Sequence, residues 1–285
     1  MRLFRPDRSI ELAMGARTYD VTTRALVMGI LNRTRDSFYA PAATFDLDAL
    51  LERADQLVRD GADVLDIGGV KAGPGDEVTE TEELERVVPV VSELRHRFDV
   101  AISIDTWRAS VAAACFQEGA TVGNDISGFA DADYLAVAAK AGATVVATHI
   151  RLRPRVADPT PHYDDVTVTV RDFLIERRQW ALDAGIEASR IVLDAGLDLG
   201  KTAAHSLQLL RDSATLAELG SPLLLSASNK TFLGVLFDLP VTDRRNPSVA
   251  ATASGIAAGC RVLRVHDVAG GVRVRDALAR ILEDA

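Results

Sequence analysis

The stretch Leu47-Asp48-Ala49-Leu50-Leu51-Glu52-Arg53-Ala54-Asp55-Gln56-Leu57-Val58-Arg59-Asp60-Gly61-Ala62-Asp63-Val64-Leu65-Asp66-Ile67 contains one complete unit of the fold. Leu47, Leu50, Leu51, Ala54, Leu57 and Val58 recur at the helical period and line a single face. Gly61 ends that helix, because glycine takes the left-handed cap without a Cβ penalty. The run that follows, Ala62 through Ile67, has the length and apolar content of a buried strand.

Outward from this stretch the unit repeats. Leu84, Val87, Val88, Val91 and Leu94 form a second helical stripe. Gly119, Gly142, Gly185, Gly220 and Gly259 each precede a short apolar run: Thr121-Val122, Ala143–Val146, Ile191–Leu193, Leu223–Leu225 and Val262–Val265. With residues 25–31 and 100–104 there are eight strand candidates, and the connection after Leu225 is expected to hold a short helix followed by one over 247–259. Near-continuous apolar strands alternating with helices imply a parallel sheet covered on its outside. Eight units predict an α/β chain closed into a (β/α)8 TIM barrel rather than a doubly wound sheet. A single barrel domain over residues 24–285 is expected, with residues 1–23 as an N-terminal extension plugging its lower mouth.

Composition narrows the class. At 285 residues, 48% apolar and 26% charged, the chain is neither disordered nor fibrous. A net charge of −9 speaks against wholesale nucleic-acid binding and leaves room for a local anion pocket. Cys115 and Cys260 cannot make a disulfide framework, the pattern of a reducing compartment. No apolar run approaches the roughly 20 residues of a membrane span. Residues 1–8 are charged and lack the apolar core of a secretory signal. A soluble, cytoplasmic protein is expected, with neither nucleic acid nor membrane as partner.

Every strand candidate ends in polar residues: Asn32, Asp66, Asp105, Asn124 with Asp125, His149, Asp194, Ser228 with Lys230, and Arg264 with His266. Singly, such residues cap helices or make turns. Together, at the C-terminal ends of eight barrel strands, they converge on one mouth, where active sites lie. Arg264 and His266 are two apart and share a strand face. A guanidinium beside an imidazole suits an anionic oxygen cluster such as a phosphate. The other reading pairs Arg264 with Asp267 or another carboxylate and packs His266; charge alone leaves both open.

From about Arg24 onward these residues resemble the dihydropteroate synthase family, which joins a pterin diphosphate to p-aminobenzoate. The matching segments are Met28–Asn32 with Asp36-Ser37-Phe38, Asp66–Gly69 with Pro74-Gly75, Ser103–Thr106, and Asn124–Gly128. Asp194 with Gly196 and Gly200-Lys201, Ser228–Gly234, and Arg264–Val268 complete the set. The resemblance implies that Asp105, Asn124, Asp194 and Lys230 hydrogen-bond the pterin ring, with Asp66 adjacent. Arg264 and His266 would bind the diphosphate, and Asn32 a phosphate and Mg²⁺, which favours oxygen ligands shared with substrate phosphates. Asp105, Lys230 and Asp36 would be the catalytic groups. In the family's chemistry the bond to pyrophosphate loosens first, and the arylamine attacks a cationic pterin methylene. Buried carboxylates favour that cation, while Arg264, His266 and Mg²⁺ favour the leaving anion. The family also implies a homodimer through its last helices, here about 247–259 and 273–283. Cys115, mid-helix, is read as core.

The chain departs from the family at the acceptor loops. The family's first loop, Asn-Val-Thr-Pro-Asp-Ser-Phe-Ser-Asp-Gly-Gly, is here Asn32-Arg33-Thr34-Arg35-Asp36-Ser37-Phe38-Tyr39-Ala40-Pro41-Ala42. The second, usually Glu-Ser-Thr-Arg-Pro-Gly, is Val70-Lys71-Ala72-Gly73-Pro74-Gly75. Leu199 stands where an aromatic packs against p-aminobenzoate, Asn229 replaces a basic residue, and Thr148-His149-Ile150 replaces Met-His-Met. The resemblance therefore implies retained pterin and diphosphate recognition with impaired or absent transfer to p-aminobenzoate, or use of another acceptor. Two alternatives remain: a fully active synthase whose Arg33, Arg35 and Lys71 rebuild the carboxylate site, and a pterin-dependent methyl-transfer domain. Lys230 and the Arg264/His266 pair argue against the last, since methyl transfer has no diphosphate to hold.

Overall fold

The computed structural model describes residues 4, 6–33 and 47–283. Eight parallel strands close on themselves: β3 (Leu26–Asn32), β4 (Val64–Gly68), β5 (Ala101–Asp105), β6 (Val122–Asp125), β7 (Thr144–Thr148), β8 (Ile191–Asp194), β9 (Leu223–Leu225) and β10 (Cys260–Val265). β10 pairs with both β9 and β3, which closes the (β/α)8 barrel expected from the repeat. Helices α1 (Leu47–Arg59), α2 (Glu80–Arg97), α3 (Ala109–Gln117), α4 (Tyr134–Ala141) and α5 (Val166–Asp183) cover the first turns of the barrel. Between β8 and β9 two helices, α6 (Ala203–Arg211) and α7 (Ser213–Ala217), meet at Asp212, whose carboxylate accepts the Thr167 hydroxyl at 2.7 Å. The β9–β10 connection holds α8 (Thr231–Phe237) and α9 (Arg245–Ala257), and α10 (Val268–Glu283) follows β10.

The first helical stripe is buried as read, through Leu50, Leu51, Ala54 and Leu57 of α1. On α2 the buried face is turned from the apolar stripe. Val87, Val90, Val91 and Leu94 are buried together with Glu83 and Arg86, while Leu84 and Val88 are half-buried. The two charges are tolerated there because both are partnered: Arg86 donates to the Gly69 carbonyl at 2.7 Å, and Glu83 pairs with Arg108. Thr79 caps α2 by accepting the Glu82 N–H, and Glu80, Glu82 and Glu83 complement its N-terminal dipole. Cys115 lies buried on α3 and Cys260 on β10, both as free thiols.

Ahead of the barrel, β1 (Glu11–Met14) and β2 (Arg17–Asp20) form an antiparallel hairpin. Its Leu12 and Met14, with Val21 behind them, share one apolar cluster with Leu26, Met28, Val64, Ala101, Val122, Val146, Val192, Leu224 and Val262. All eight barrel strands contribute to that cluster. It is the lowest inward layer of the barrel, and the period-two alternation of a strand decides what lies above it.

Candidate active site

Two residues above the apolar layer, the inward positions of β4, β5, β6, β8 and β10 become polar, while Ile30 of β3 stays apolar. On β4, Val64 is followed by Asp66; on β5, Ala101 by Ser103 and Asp105; on β6, Val122 by Asn124. On β8, Val192 is followed by Asp194, and on β10, Val262 by Arg264 and then His266. A two-residue period therefore lifts one greasy layer into one hydrogen-bonding layer at the C-terminal mouth.

Arg264 ties that layer together. Its Nε meets Asp66 Oδ2 at 2.6 Å and its Nη2 meets Asp105 Oδ2 at 2.7 Å. Asp66, fully buried, also accepts the Ser103 hydroxyl at 2.6 Å and faces the Asn124 amide at 3.3 Å. Arg264 thus shares its inward face with His266, yet two of its three nitrogens hold carboxylates. Asp267, the other partner considered from sequence, pairs instead with Arg245 at 2.7 Å. One guanidinium thus faces two acids. Burial, reinforced by Asp66 and Glu83 and opposed by Arg264, raises the Asp105 carboxyl well above the usual carboxylate range. Burial also raises Asp194, against a 2.8 Å bond from the Gly196 N–H and the charges of Lys230, Lys201 and Arg264.

At the rim, Lys230 follows the β9 end and is half-buried; desolvation lowers its amine, while Asp198, Asp194 and Asp105 oppose that shift. His266 Nδ1 lies 3.0 Å from the Ser228 hydroxyl at the exposed rim, and local desolvation with the charges of Arg264, Lys230 and Arg53 lowers its pKa to about 4. Asn32 is the last, exposed residue of β3. A Cβ on Gly68 would come within 3.3 Å of Asn32 Oδ1 and 3.7 Å of Asp105 Oδ2, so the glycine keeps open the space between two oxygen donors. Among the described residues, no three His, Cys, Asp or Glu side chains gather as a metal cage. A single exposed amide oxygen does fit Mg²⁺ that arrives on a diphosphate and keeps its other ligands. Beside the mouth a cavity of about 360 Å³ opens between Ser228, His266, Arg245, Ser248 and Thr252.

Asp36 lies outside the described residues. Asp125, next to Asn124, points away from the barrel axis and accepts the N–H groups of Ser127 and Phe129 at 2.6 and 2.9 Å, a turn role. His149, buried after β7, is likewise structural: its Nδ1 accepts from Lys201 Nζ at 2.8 Å. Burial and the Lys201 charge lower its pKa to about 3. The same ammonium donates to the Gly196 carbonyl at 2.8 Å and Leu199 at 3.1 Å, clasping the loop that presents half-buried Leu199.

The acceptor side is built differently. The second loop is exposed from Gly73 to Asp76, and Arg155 of the β7–α5 connection grips it. The Arg155 N–H donates to Ala72 O at 2.9 Å, and its guanidinium donates to the carbonyls of Lys71 (3.2 Å) and Asp76. Arg33, one of the residues new to the first loop, donates to the Arg86 carbonyl at 2.6 Å and so rests against α2. Arg155 and the Lys201 clasp escaped the sequence reading because both work through backbone carbonyls, which leave no residue-type signature. Glu83 was hidden inside an acidic first turn that reads as an ordinary helix start.

Fold and site together define a (β/α)8 barrel whose C-terminal mouth carries a layer of hydrogen-bonding side chains, with Lys230 and His266 at its rim. A family model for pterin binding enzymes matches residues 28–266. The chain is 41% identical over 264 residues to "Inactive dihydropteroate synthase 2" of Mycobacterium tuberculosis, covering 90% of this chain and 83% of that one. It is 38% identical over 244 residues to the dihydropteroate synthase of Haemophilus influenzae, covering 85% and 89%. A crystal structure of the Yersinia pestis dihydropteroate synthase with a sulfonamide drug superimposes with a TM-score of 0.91 at 36% identity, covering 97% of this chain and all of that one. The chain belongs to the dihydropteroate synthase family.

Proposed function

We propose that the protein binds a pterin diphosphate in its barrel mouth and transfers the pterin methylene to p-aminobenzoate poorly or not at all. One contrast carries this reading. The strand-borne half of the mouth is a complete hydrogen-bonded layer, whereas the loops that would receive the arylamine lack its side chains. The relatives divide the same way, since the 41% identical mycobacterial chain is named an inactive synthase. A fully active enzyme is the alternative favoured by the intact donor half and by the 38% identical Haemophilus synthase.

In this reading Asp194, Asn124 and Lys230 meet the pterin edge with both acceptors and donors, and Asp66 supports them through Asn124 and Arg264. Arg264 keeps Asp66 and Asp105 in place with Nε and Nη2, so Nη1 is the nitrogen it turns to the diphosphate. Neutral His266 donates from Nε2 if the Ser228 hydroxyl occupies Nδ1, and Asn32 would hold Mg²⁺ carried on the phosphates. That ion would lend positive charge to the leaving pyrophosphate. As the C–O bond breaks, the buried carboxylates Asp105 and Asp194 face the cationic methylene. Asp36 is proposed as a further catalytic group of the first loop. A homodimer through α9 and α10 and a cytoplasmic location belong to the same proposal. No described helix is long and apolar enough to cross a membrane.

Calorimetric titration with pterin diphosphate, with and without p-aminobenzoate, together with an assay of pyrophosphate release, tests it. Measurable pterin diphosphate binding with turnover far below an ordinary synthase is expected. Dihydropteroate formation at an ordinary enzymatic rate would establish the alternative.

A further inference from the structure

Lys230 occupies the N-cap of α8 without capping it. Its side chain makes no bond to the first turn, and N-cap lysines supply no acceptor for the orphan N–H groups there. Those donors are met from another loop. Asp198 Oδ2 accepts the Thr231 N–H at 2.5 Å and the Phe232 N–H at 3.3 Å. Its Oδ1 faces the Ser206 hydroxyl at 3.2 Å, and that hydroxyl in turn accepts the Asp198 N–H at 3.1 Å. One carboxylate therefore joins the start of α8 to α6, and it sits in the β8–α6 loop, four residues after Asp194.

The backbone marks this aspartate as unusual. Asp198 has a φ of 67°, between Gly196 at 65° and Gly200 at 63°. Glycine occupies such positions without strain, and a side chain there costs of the order of 1 kcal/mol. Gly196 has no choice, since a Cβ would lie 1.9 Å from the His149 carbonyl oxygen. Asp198 is open to a side chain and uses it on the residue next to Lys230.

We propose that Asp198 is a positioning residue for Lys230: it caps α8 in place of Lys230 and sets a negative charge beside the turn that carries the Lys230 amine. This rests on the pterin-site reading only for its consequence in ligand binding. The electrostatics agree with the geometry. Desolvation, with Arg264, lowers the Lys230 amine, while Asp198, ahead of Asp194 and Asp105, opposes that shift. Lys201, the other lysine in this region, donates to the carbonyls of His149 and Gly196 and also feels the Asp198 charge, so its own titration curve is followed beside that of Lys230.

The chain suits a direct test, because it has only four lysines, Lys71, Lys140, Lys201 and Lys230. Lysine labelled with ¹³C at Cε gives each its own titration curve, and a Lys230→Arg variant assigns the signal. Asp198→Asn keeps an oxygen for the Thr231 N–H and removes the charge; Asp198→Gly removes both and relieves the backbone. In Asp198→Asn the Lys230 midpoint should fall by about one pH unit, a tenfold loss of proton affinity, with Lys140 unmoved. Pterin diphosphate binding should lose its basic limb at correspondingly lower pH, and Asp198→Gly should weaken it further. An unchanged Lys230 midpoint in a folded Asp198→Asn protein overturns the proposal, as does failure of both variants to fold, which would make Asp198 architectural only. A shifted midpoint in a protein that binds no pterin would leave Asp198 as proposed and refute the function instead.

Discussion

The two halves of the barrel mouth hold their side chains by different means. On the donor half, Asp66, Ser103, Asp105, Asn124 and Arg264 all sit on strands, and their contacts run side chain to side chain within a closed sheet. On the acceptor half, Arg155 and Lys201 grip backbone carbonyls, and the loop between Gly73 and Asp76 presents no side chain to the mouth that the structure buries. Strand-borne sites are precise because the sheet fixes each Cβ; loop-borne ones depend on whatever ties the loop down. In the proposed reading the donor side rests mainly on strand positions, with Lys230 and His266 just beyond strand ends, and the acceptor side on loop sequence alone, so the second can be lost while the first is kept.

The largest expected effect lies on the donor half. Arg264→Ala leaves two buried carboxylates facing each other, and removing one partner of a buried pair costs about 3–5 kcal/mol. Thermal unfolding without ligand should read this. Titration should then show a greater loss for pterin diphosphate than for a pterin without phosphates; equal losses would assign Arg264 to structure alone. The acceptor half should respond in the opposite sense. Replacing Val70–Gly73 by Glu-Ser-Thr-Arg, with Arg33→Val and Arg35→Pro, should raise condensation about tenfold or more, as two restored hydrogen bonds of about 1 kcal/mol or more each would do. Pterin diphosphate affinity should stay unchanged, and a graft that alters affinity but not turnover breaks the comparison.

A pH test separates the two halves at their junction. Burial first, and then the Lys201 ammonium from which it accepts, put the folded pKa of His149 at about 3, below the ordinary 6.5. The unfolded chain binds the extra proton first, and stability from this site is lost as pH falls from about 6.5 toward 3. His149→Gln should flatten that slope in denaturant titrations; an unaltered slope would mean the ring is not held neutral. The smallest effect belongs to Arg155→Ala. It should change global stability by about 1 kcal/mol or less, yet speed amide exchange across residues 71–76. If exchange there stays slow, Arg155 is not what holds the loop.

Glu83 and Arg86 mark the limit of periodicity as a guide. The stripe Leu84, Val87, Val88, Val91, Leu94 identified α2 correctly and its buried face only in part, because a charge with a partner can take an inward position that an apolar count assigns to its neighbour. Arg264 shows the same limit in the site. Its spacing from His266 put both on one face, but whether it met a phosphate or a carboxylate depended on residues far away along the chain.

What the sequence determined by itself was the barrel and the set of residues at its mouth. A helical stripe, a glycine stop and a short apolar run are local features; six of the eight apolar runs follow such a glycine, and eight runs leave closure of a parallel sheet as the way to bury every strand. The tertiary structure alone decided the partners. Arg264 reaches Asp66 across 198 residues, Arg155 reaches Lys71 across 84, and Asp198 reaches Thr231 across 33. Such contacts depend on how the closed barrel places distant strand ends side by side, and a one-dimensional pattern carries no record of those distances.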